Sequence, residues 1–456
     1  MNAAMRNAAL RALCRRERRR RRRRLLRWTI AVAVLSGAAN AGHLLVLNNG
    51  DRPLIEFASD KPVAANHHLT DSLSFGAQIE AETQAEFNFD LDDSENGDQA
   101  TLDPKLQFAL AYEPNARIRV LAEFELLRRF FLESFDRRDD DLKIELKQAY
   151  VVLRNIVDGI TLTVGRQYLG DKREWLLDEE IDGVQLTMRH GGVALELGYV
   201  REGLFRRNLL EPEYKKRPDY LIGRAFGAIG DDSQVSAFAI YQNGHEGKTD
   251  EDLLFLGAQS YGELGNHVDF WADGAIVIGE ARGRDVRGFG FDVGVTKTFK
   301  DLPMRPRLTA SVAFGSGDDG DGTDTGFRQT GLHGNSDRLG GVTSLHYYGE
   351  VLDPDLSNLG ILTLGAGFNP TKRSSVDLVY HHYVQHRADD DLRHAAIDRD
   401  PSGERRDIGD EFDLVIGLKE MDHLAIEMVG GVFLPGAAFD KRDPAFFAGM
   451  TVQMKF

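Results

Sequence analysis

The sequence predicts an all-β protein, a monomeric barrel of 18 antiparallel strands that crosses a membrane. Three observations predict it. The last eleven residues alternate, with Phe446, Ala448, Met450, Val452, Met454 and Phe456 on one face and Phe447, Gly449, Thr451, Gln453 and Lys455 on the other. Period two is a strand, and one that is greasy on one face and closes on an aromatic suits the last strand of a lipid-embedded barrel. The first 41 residues read as a secretory leader. Between the two ends one unit recurs without a fixed period: about ten alternating residues followed by a polar turn.

The leader comes first. An unbroken arginine run, Arg18 to Arg24, precedes a short apolar core from Trp28 to Leu35. The small-residue site Ala39-Asn40-Ala41 follows it. The core is too short to span a bilayer permanently. An arginine run can also serve as a nucleic-acid arm, but its place directly before an apolar core assigns it to the leader, so no nucleic-acid partner is expected. The leader holds 12 Arg and one Glu. Of the chain's 56 basic and 72 acidic residues, 44 and 71 then remain, a net charge of −27. The single cysteine, Cys14, lies in the leader, so disulfides and thiolate metal sites are excluded from the rest. Residues 42–72 are expected as a periplasmic N-terminal segment, and 73–456 as the barrel.

The clearest strand is the first, 73–91. Leu73, Phe75, Ala77, Ile79 and Phe87 share one parity, while Gln78, Glu80, Glu82, Gln84 and Glu86 share the other. The next pair repeats the code, with Leu106, Phe108 and Leu110 against Lys105 and Gln107, a turn at Glu113-Pro114-Asn115, then Ile118, Val120 and Phe124 against Arg117, Arg119 and Glu123. Short turns are expected at 155–159, 190–192, 230–232, 263–266, 300–304, 369–373 and 420–422. Long charged connections are expected at 92–98, 136–141, 204–218, 318–324 and 388–407. Short turns at one end and long loops at the other is barrel asymmetry, with the short ones periplasmic. About 19 strand candidates emerge, and both termini in the periplasm require an even number. The weakest is 340–350, which alternates poorly and precedes Asp353-Pro354-Asp355. Rejecting it leaves 18 strands and one long connection, 317–358, expected to fold into the lumen.

That connection carries a resemblance. Phe327-Arg328-Gln329-Thr330-Gly331 is followed by Asp337-Arg338-Leu339-Gly340-Gly341-Val342, then by Tyr347-Tyr348-Gly349-Glu350-Val351-Leu352-Asp353-Pro354-Asp355. Further on come Ser375-Val376-Asp377 and Tyr380-His381-His382-Tyr383, and upstream stand Gly165-Arg166-Gln167 and Asp171-Lys172-Arg173-Glu174-Trp175. The succession resembles the alginate-export outer-membrane porin family. The resemblance covers about 73–456 and implies an 18-stranded barrel that lets the polyuronate alginate diffuse out through an arginine-lined constriction. As partners it implies a periplasmic tetratricopeptide scaffold lipoprotein and an inner-membrane polymer synthase, beside outer-membrane lipid, lipopolysaccharide and the barrel-assembly machinery. No cofactor is indicated.

Physics fits a polyanion. Arginine pairs with carboxylates through a planar fork and stays charged, and a narrow low-dielectric pore focuses the field of its fixed charges. Strand parity sends Arg117, Arg119, Arg129, Lys143, Lys147, Arg189 and Arg307 inward. Arg328 and Arg338 are expected to enter from the long loop and to stand near Lys143 and Arg166 at the constriction. Arg166 shares parity with Leu162 and Val164, which points it at lipid, while the family motif implies the pore; either a bulge flips it inward or it lies above the membrane. For each arginine the other reading is an ion pair with Glu123, Glu125 or Glu145.

Other motifs carry less. Gly288-Phe289-Gly290-Phe291 has no helix after it and relieves crowding in a strand. Asp319-Gly320-Asp321-Gly322-Thr323-Asp324 lacks EF-hand spacing. His381 and His382 fall on opposite faces of a strand, which argues against a joint metal site. No G-x-S-x-G nucleophile motif occurs. The expected function is passive, anion-selective export of alginate without catalysis. The alternatives are an uptake porin for small anions and an outer-membrane enzyme that degrades polyuronate.

Overall fold

The computed structural model describes residues 65–94, 98–134, 141–201, 203–210, 218–230, 232–244, 251–320 and 322–456. The expected leader 1–41, most of the expected segment 42–72, and parts of the expected loops 92–98, 136–141, 204–218 and 318–324 lie outside them.

Eighteen strands follow one another around a single closed sheet: β1 Leu73–Phe87, β2 Gln99–Asn115, β3 Ile118–Ser134, β4 Asp141–Leu153, β5 Ile160–Gly170 and β6 Asp178–His190; then β7 Val193–Arg201, β8 Asp219–Ile229, β9 Ser233–Asn243, β10 Glu251–Glu263, β11 Val268–Ala281 and β12 Arg284–Thr298; then β13 Arg307–Gly315, β14 Leu359–Phe368, β15 Ser374–Gln385, β16 Asp407–Met421, β17 Leu424–Pro435 and β18 Ala445–Lys455. Every neighbour pairs antiparallel. β18 returns to β1 with Val452 opposite Ala81 and Met450 opposite Thr83, and Phe456 exchanges main-chain hydrogen bonds with Ala77. Closure leaves no edge, the condition for a sheet in lipid, where nothing else can bond an exposed amide.

The alternation reads directly on the wall. Ile79, Phe108, Phe124, Val164, Phe291, Leu364 and Phe412 are exposed outward, while Gln78, Glu123, Gln148, Asp292 and His381 are buried inward. His381 and His382 do face opposite ways. His381 is fully enclosed beside Thr363 and Asp413, and His382 is part-exposed against Asp410.

One expected boundary shifts, and the rejection of 340–350 as a barrel strand holds. The first strand stops at Phe87 rather than running to 91, because Asn88 takes a φ of 57° and Leu91 a φ of 58°. Phe89 and Leu91 instead turn inward and are buried. The 340–350 stretch contributes only Leu345–His346, in a two-residue ladder with Ser336–Asp337 outside the barrel sheet.

The connection 316–358 runs from the long-loop end down the lumen and back. Its tip reaches the short-turn end. There the Val342 amide donates to Ser375 Oγ at 3.0 Å, Lys419 Nζ donates to the Val342 carbonyl at 2.9 Å, and Gly340 sits beside the buried Arg307. Its descent explains the Gly288/Gly290 motif. A Cβ at Gly288 would lie 2.4 Å from the Gly326 carbonyl oxygen, and one at Gly290 would lie 2.6 Å from the Phe327 ring. Glycine is required because the plug lies directly on β12.

A closed sheet of this kind resists detergent. Unboiled protein is expected to run faster than boiled protein on a detergent gel, and identical mobility would contradict closure.

Candidate polymer channel

The lumen is organised by one buried cation. Arg173 sits on the 171–177 connection between β5 and β6. Asp171 shapes that connection, accepting amides from Arg173, Trp175, Leu176 and Leu177. This turn delivers Arg173 into a sandwich between the Trp271 and Tyr347 rings, 4.3 and 4.1 Å from their centroids. Asp292, Asp273 and Asp337 surround it at 3.1, 3.3 and 3.4 Å. Burial pulls the guanidinium pKa down, but the charges of Asp292, Asp337 and Asp273 outweigh it and hold it above its ordinary value. Around this centre Trp175 stacks on Phe327 at 5.9 Å and donates to the Tyr348 hydroxyl. Gln329 donates to the Trp175 carbonyl and to Asn335. The plug's return limb is held by Glu411, whose carboxylate accepts the Val351 and Leu352 amides at 2.7 and 3.0 Å.

The plug is also latched at the long-loop end. Asp355 accepts from His333 at 2.9 Å and from His394 at 2.8 Å, with Arg393 at 3.4 Å. Burial raises the Asp355 carboxyl, but the hydrogen bonds from His333 and His394 outweigh it and hold the carboxyl below its ordinary range. The bond to Asp355 raises the His394 pKa.

The expected pore cations do not converge on one ring. Lys143, Arg129 and Arg328 lie toward the long-loop end, and each is paired: Lys143 with Asp141 at 3.3 Å, Arg129 bidentate on Asp103, Arg328 with Asp324 and with Glu251 at 3.7 Å. Arg119 lies at the short-turn end, 3.4 Å from Glu113. Arg189 lines a cavity at that same end. Arg307 is fully buried on Asp377 and Asn369. Lys147 bulges from β4 and meets Glu180 at 3.1 Å. Arg117 stays at the β2–β3 turn.

Arg166 is a correction. No bulge flips it, and it keeps the outward parity of Val164. It bonds Asp182 through Nε and Nη2, both at 2.9 Å, and donates to the carbonyls of Leu146, Phe205 and Arg206. Above this point β4 and β5 separate. The 205–209 segment fills the gap, bonding Ile144 and Leu146. Arg166 opposes Asp182, Asp182 opposes Arg201, and Arg201 opposes Asp219. This outward row lies one outward-facing step beyond exposed Val164, Val184, Tyr199 and Leu221. Held by these partners, Arg166 fastens the wall.

Arg338, at the plug tip, is exposed and lines a cavity of about 480 Å³ with Lys372, Arg373, Lys419, His423 and Lys455. The lining Asp422 lies 2.6 Å from Arg373, and Lys419 is also paired with Glu427 at 3.0 Å. Lys372, Arg373, Lys419 and Lys455 were not expected in the site. Inward parity of Lys419 with Glu411 and Asp413, and the short turn at 369–373, were the available signals.

Against known proteins, the chain matches the alginate export family profile over residues 71–452. It belongs to that family. It is similar to the alginate production protein AlgE of Pseudomonas aeruginosa, 26% identical over 336 residues that cover 62% of this chain and 67% of that protein. AlgE of Azotobacter vinelandii is 28% identical over 178 residues, 34% of this chain and 36% of that protein. The fold is similar to Pseudomonas aeruginosa OpdQ, with TM-score 0.56, 11% identity and coverage of 85% and 99%. It is also similar to OccK11 (OpdR) of the same organism, with TM-score 0.54, 15% identity and coverage of 84% and 96%. The protein is thus a channel of the bacterial outer membrane and not an enzyme.

Two outcomes follow from this geometry. Arg173→Met leaves Asp273 and Asp292 buried without their cation, which costs about 3–5 kcal/mol. A larger and noisier single-channel current is expected with heat-modifiable mobility retained, and an unchanged current would show that the plug does not rest on Arg173. The latch depends on pH with a definite sign. A raised His394 stabilises it below the ordinary histidine value and loses that contribution as pH rises through its elevated one. A depressed Asp355 stabilises it above the ordinary carboxyl value and loses that contribution only as pH falls through its lowered one. Exchange of the Ala396 amide, which bonds the Leu352 carbonyl, is expected to be slow between about pH 4 and 6.5 and faster once pH passes the raised His394 value, after correction for intrinsic rates. His394→Ala is expected to remove that dependence.

Proposed function

We propose that this channel exports alginate passively and with anion preference, and that the cationic cavity at the periplasmic mouth captures the polymer. What carries the reading is the placement of Arg338. The plug brings it to the short-turn end beside Lys372, Arg373, Lys419 and Lys455 around one open volume. A chain with one carboxylate per sugar meets several fixed cations at once. Each binds weakly and together they bind usefully, and weak individual sites let the polymer move on. The net charge of −27 does not oppose this, because local potential rather than total charge acts in a pore. A tetratricopeptide scaffold lipoprotein and an inner-membrane synthase would deliver the polymer to this mouth, on the family resemblance.

In planar bilayers, wild-type current is expected to favour anions and to be blocked by polymannuronate from the periplasmic side. Replacing Arg338 and Lys419 by Glu is expected to reverse the ion preference, with an effect that fades at high salt. A double variant with wild-type selectivity and block would place the selective step elsewhere.

A further inference from the structure

A second cavity, of about 470 Å³, opens on the β4–β8 side of the lumen. Its lining differs in kind from the cationic one. On β5 and β6, Thr161 opposes Thr187 and Thr163 opposes Gln185, forming two rungs of hydroxyl and amide groups. Rungs on a strand recur every ~6.6–6.8 Å. Tyr150 on β4 adds an aromatic face with a polar tip. Gln167 stands above them, 5% exposed, with its Nε2 lacking any hydrogen-bond partner. The side chains of Thr161, Thr163, Gln185 and Thr187 likewise show no protein hydrogen-bond partner among the described residues. A buried amide donor left unpaired is expensive, and here it is aimed into an open polar volume.

Charge is confined to the margins, where Arg189 stands at the end of β6. Glu196 is neutralised by Arg224 at 2.6 Å, and Arg154 is drawn to Glu113 at 3.7 Å and the Ala116 carbonyl at 3.4 Å. The other side of the lumen is acidic, with Glu80 and Glu82 sharing Lys105. A polyanion is repelled there and accommodated along β4–β6.

Resting on the proposed transport reading, we infer that this wall is a binding track for the hydroxyl groups and ring faces of the uronate sugars, separate from the cations that attract their carboxylates. Simple anions can meet the cations at its margin but offer the rungs neither hydroxyl groups nor a ring face. A polyhydroxylated chain replaces water at each rung with a comparable hydrogen bond, so it slides without a deep minimum. The track makes the channel selective for an acidic sugar polymer over acid alone.

The test is oligomannuronate block of single channels, with the reversal potential measured on the same channels. In a Thr161→Val, Thr163→Val, Thr187→Val triple variant the half-blocking concentration is expected to rise about tenfold, as a few hydrogen bonds are lost, with the reversal potential unchanged. The matching Thr→Ser triple is expected to restore wild-type block. Where the Val triple loses heat-modifiable mobility, Gln167→Leu serves instead, with an expected rise of about threefold. Wild-type block in a folded Val triple, or in Gln167→Leu, overturns the track. Absence of any oligomannuronate block in the wild-type channel overturns the transport reading itself.

Discussion

Lipid offers no hydrogen bonds, and that constraint determines nearly everything else in this molecule. The sheet must close, and here it does so through the pairing of β18 with β1. Closure fixes the alternation on every strand, greasy outward and polar inward. An inner wall of 18 polar strand faces then encloses a volume that water alone would fill. The chain instead sends one of its own connections through that volume.

Filling a polar lumen with protein is hazardous, because each charge taken from water needs a partner. The plug meets this by nesting its contacts around Arg173. The same cation, carried on the 171–177 connection, bonds or faces side chains from two strands and from the plug itself. Glu411 does the complementary work with main-chain amides. Charges that hold the plug are thus buried in ion pairs, while Arg338 at its tip is exposed. Arg338 and Arg173 belong to neighbouring motifs of one family signature yet have opposite roles, one wetted and one sealed.

The architecture was legible in sequence because period two survives translation into a wall. The strands, the short turns and the rejection of 340–350 all follow from alternation and turn chemistry. Where alternation gave out, legibility went with it. Asn88 and Leu91 continue the pattern of β1 by parity, and only their backbone angles reveal that the strand has ended. Arg166 shows the reverse case. Parity alone placed it outward, and the motif drew it inward. The structure sides with parity because Asp182 and three carbonyls satisfy it there. Arg328 and Arg338, ten residues apart, end toward opposite mouths because the loop between them descends the whole lumen, a distance that no local pattern encodes.

The outward row of Arg166, Asp182, Arg201 and Asp219 has a consequence for how the molecule floats. A charged row cannot sink into hydrocarbon, and the exposed apolar side chains next to it cannot rise far into water. Together they draw a waterline across β5–β8. Arg166 and Asp182 are enclosed under the 205–209 segment, so the part-exposed pair of Arg201 and Asp219 is the half of the row that meets the surroundings of the wall. A thinner or thicker bilayer must bend to meet that line, since opposite charges in register leave the row no cheap way to shift.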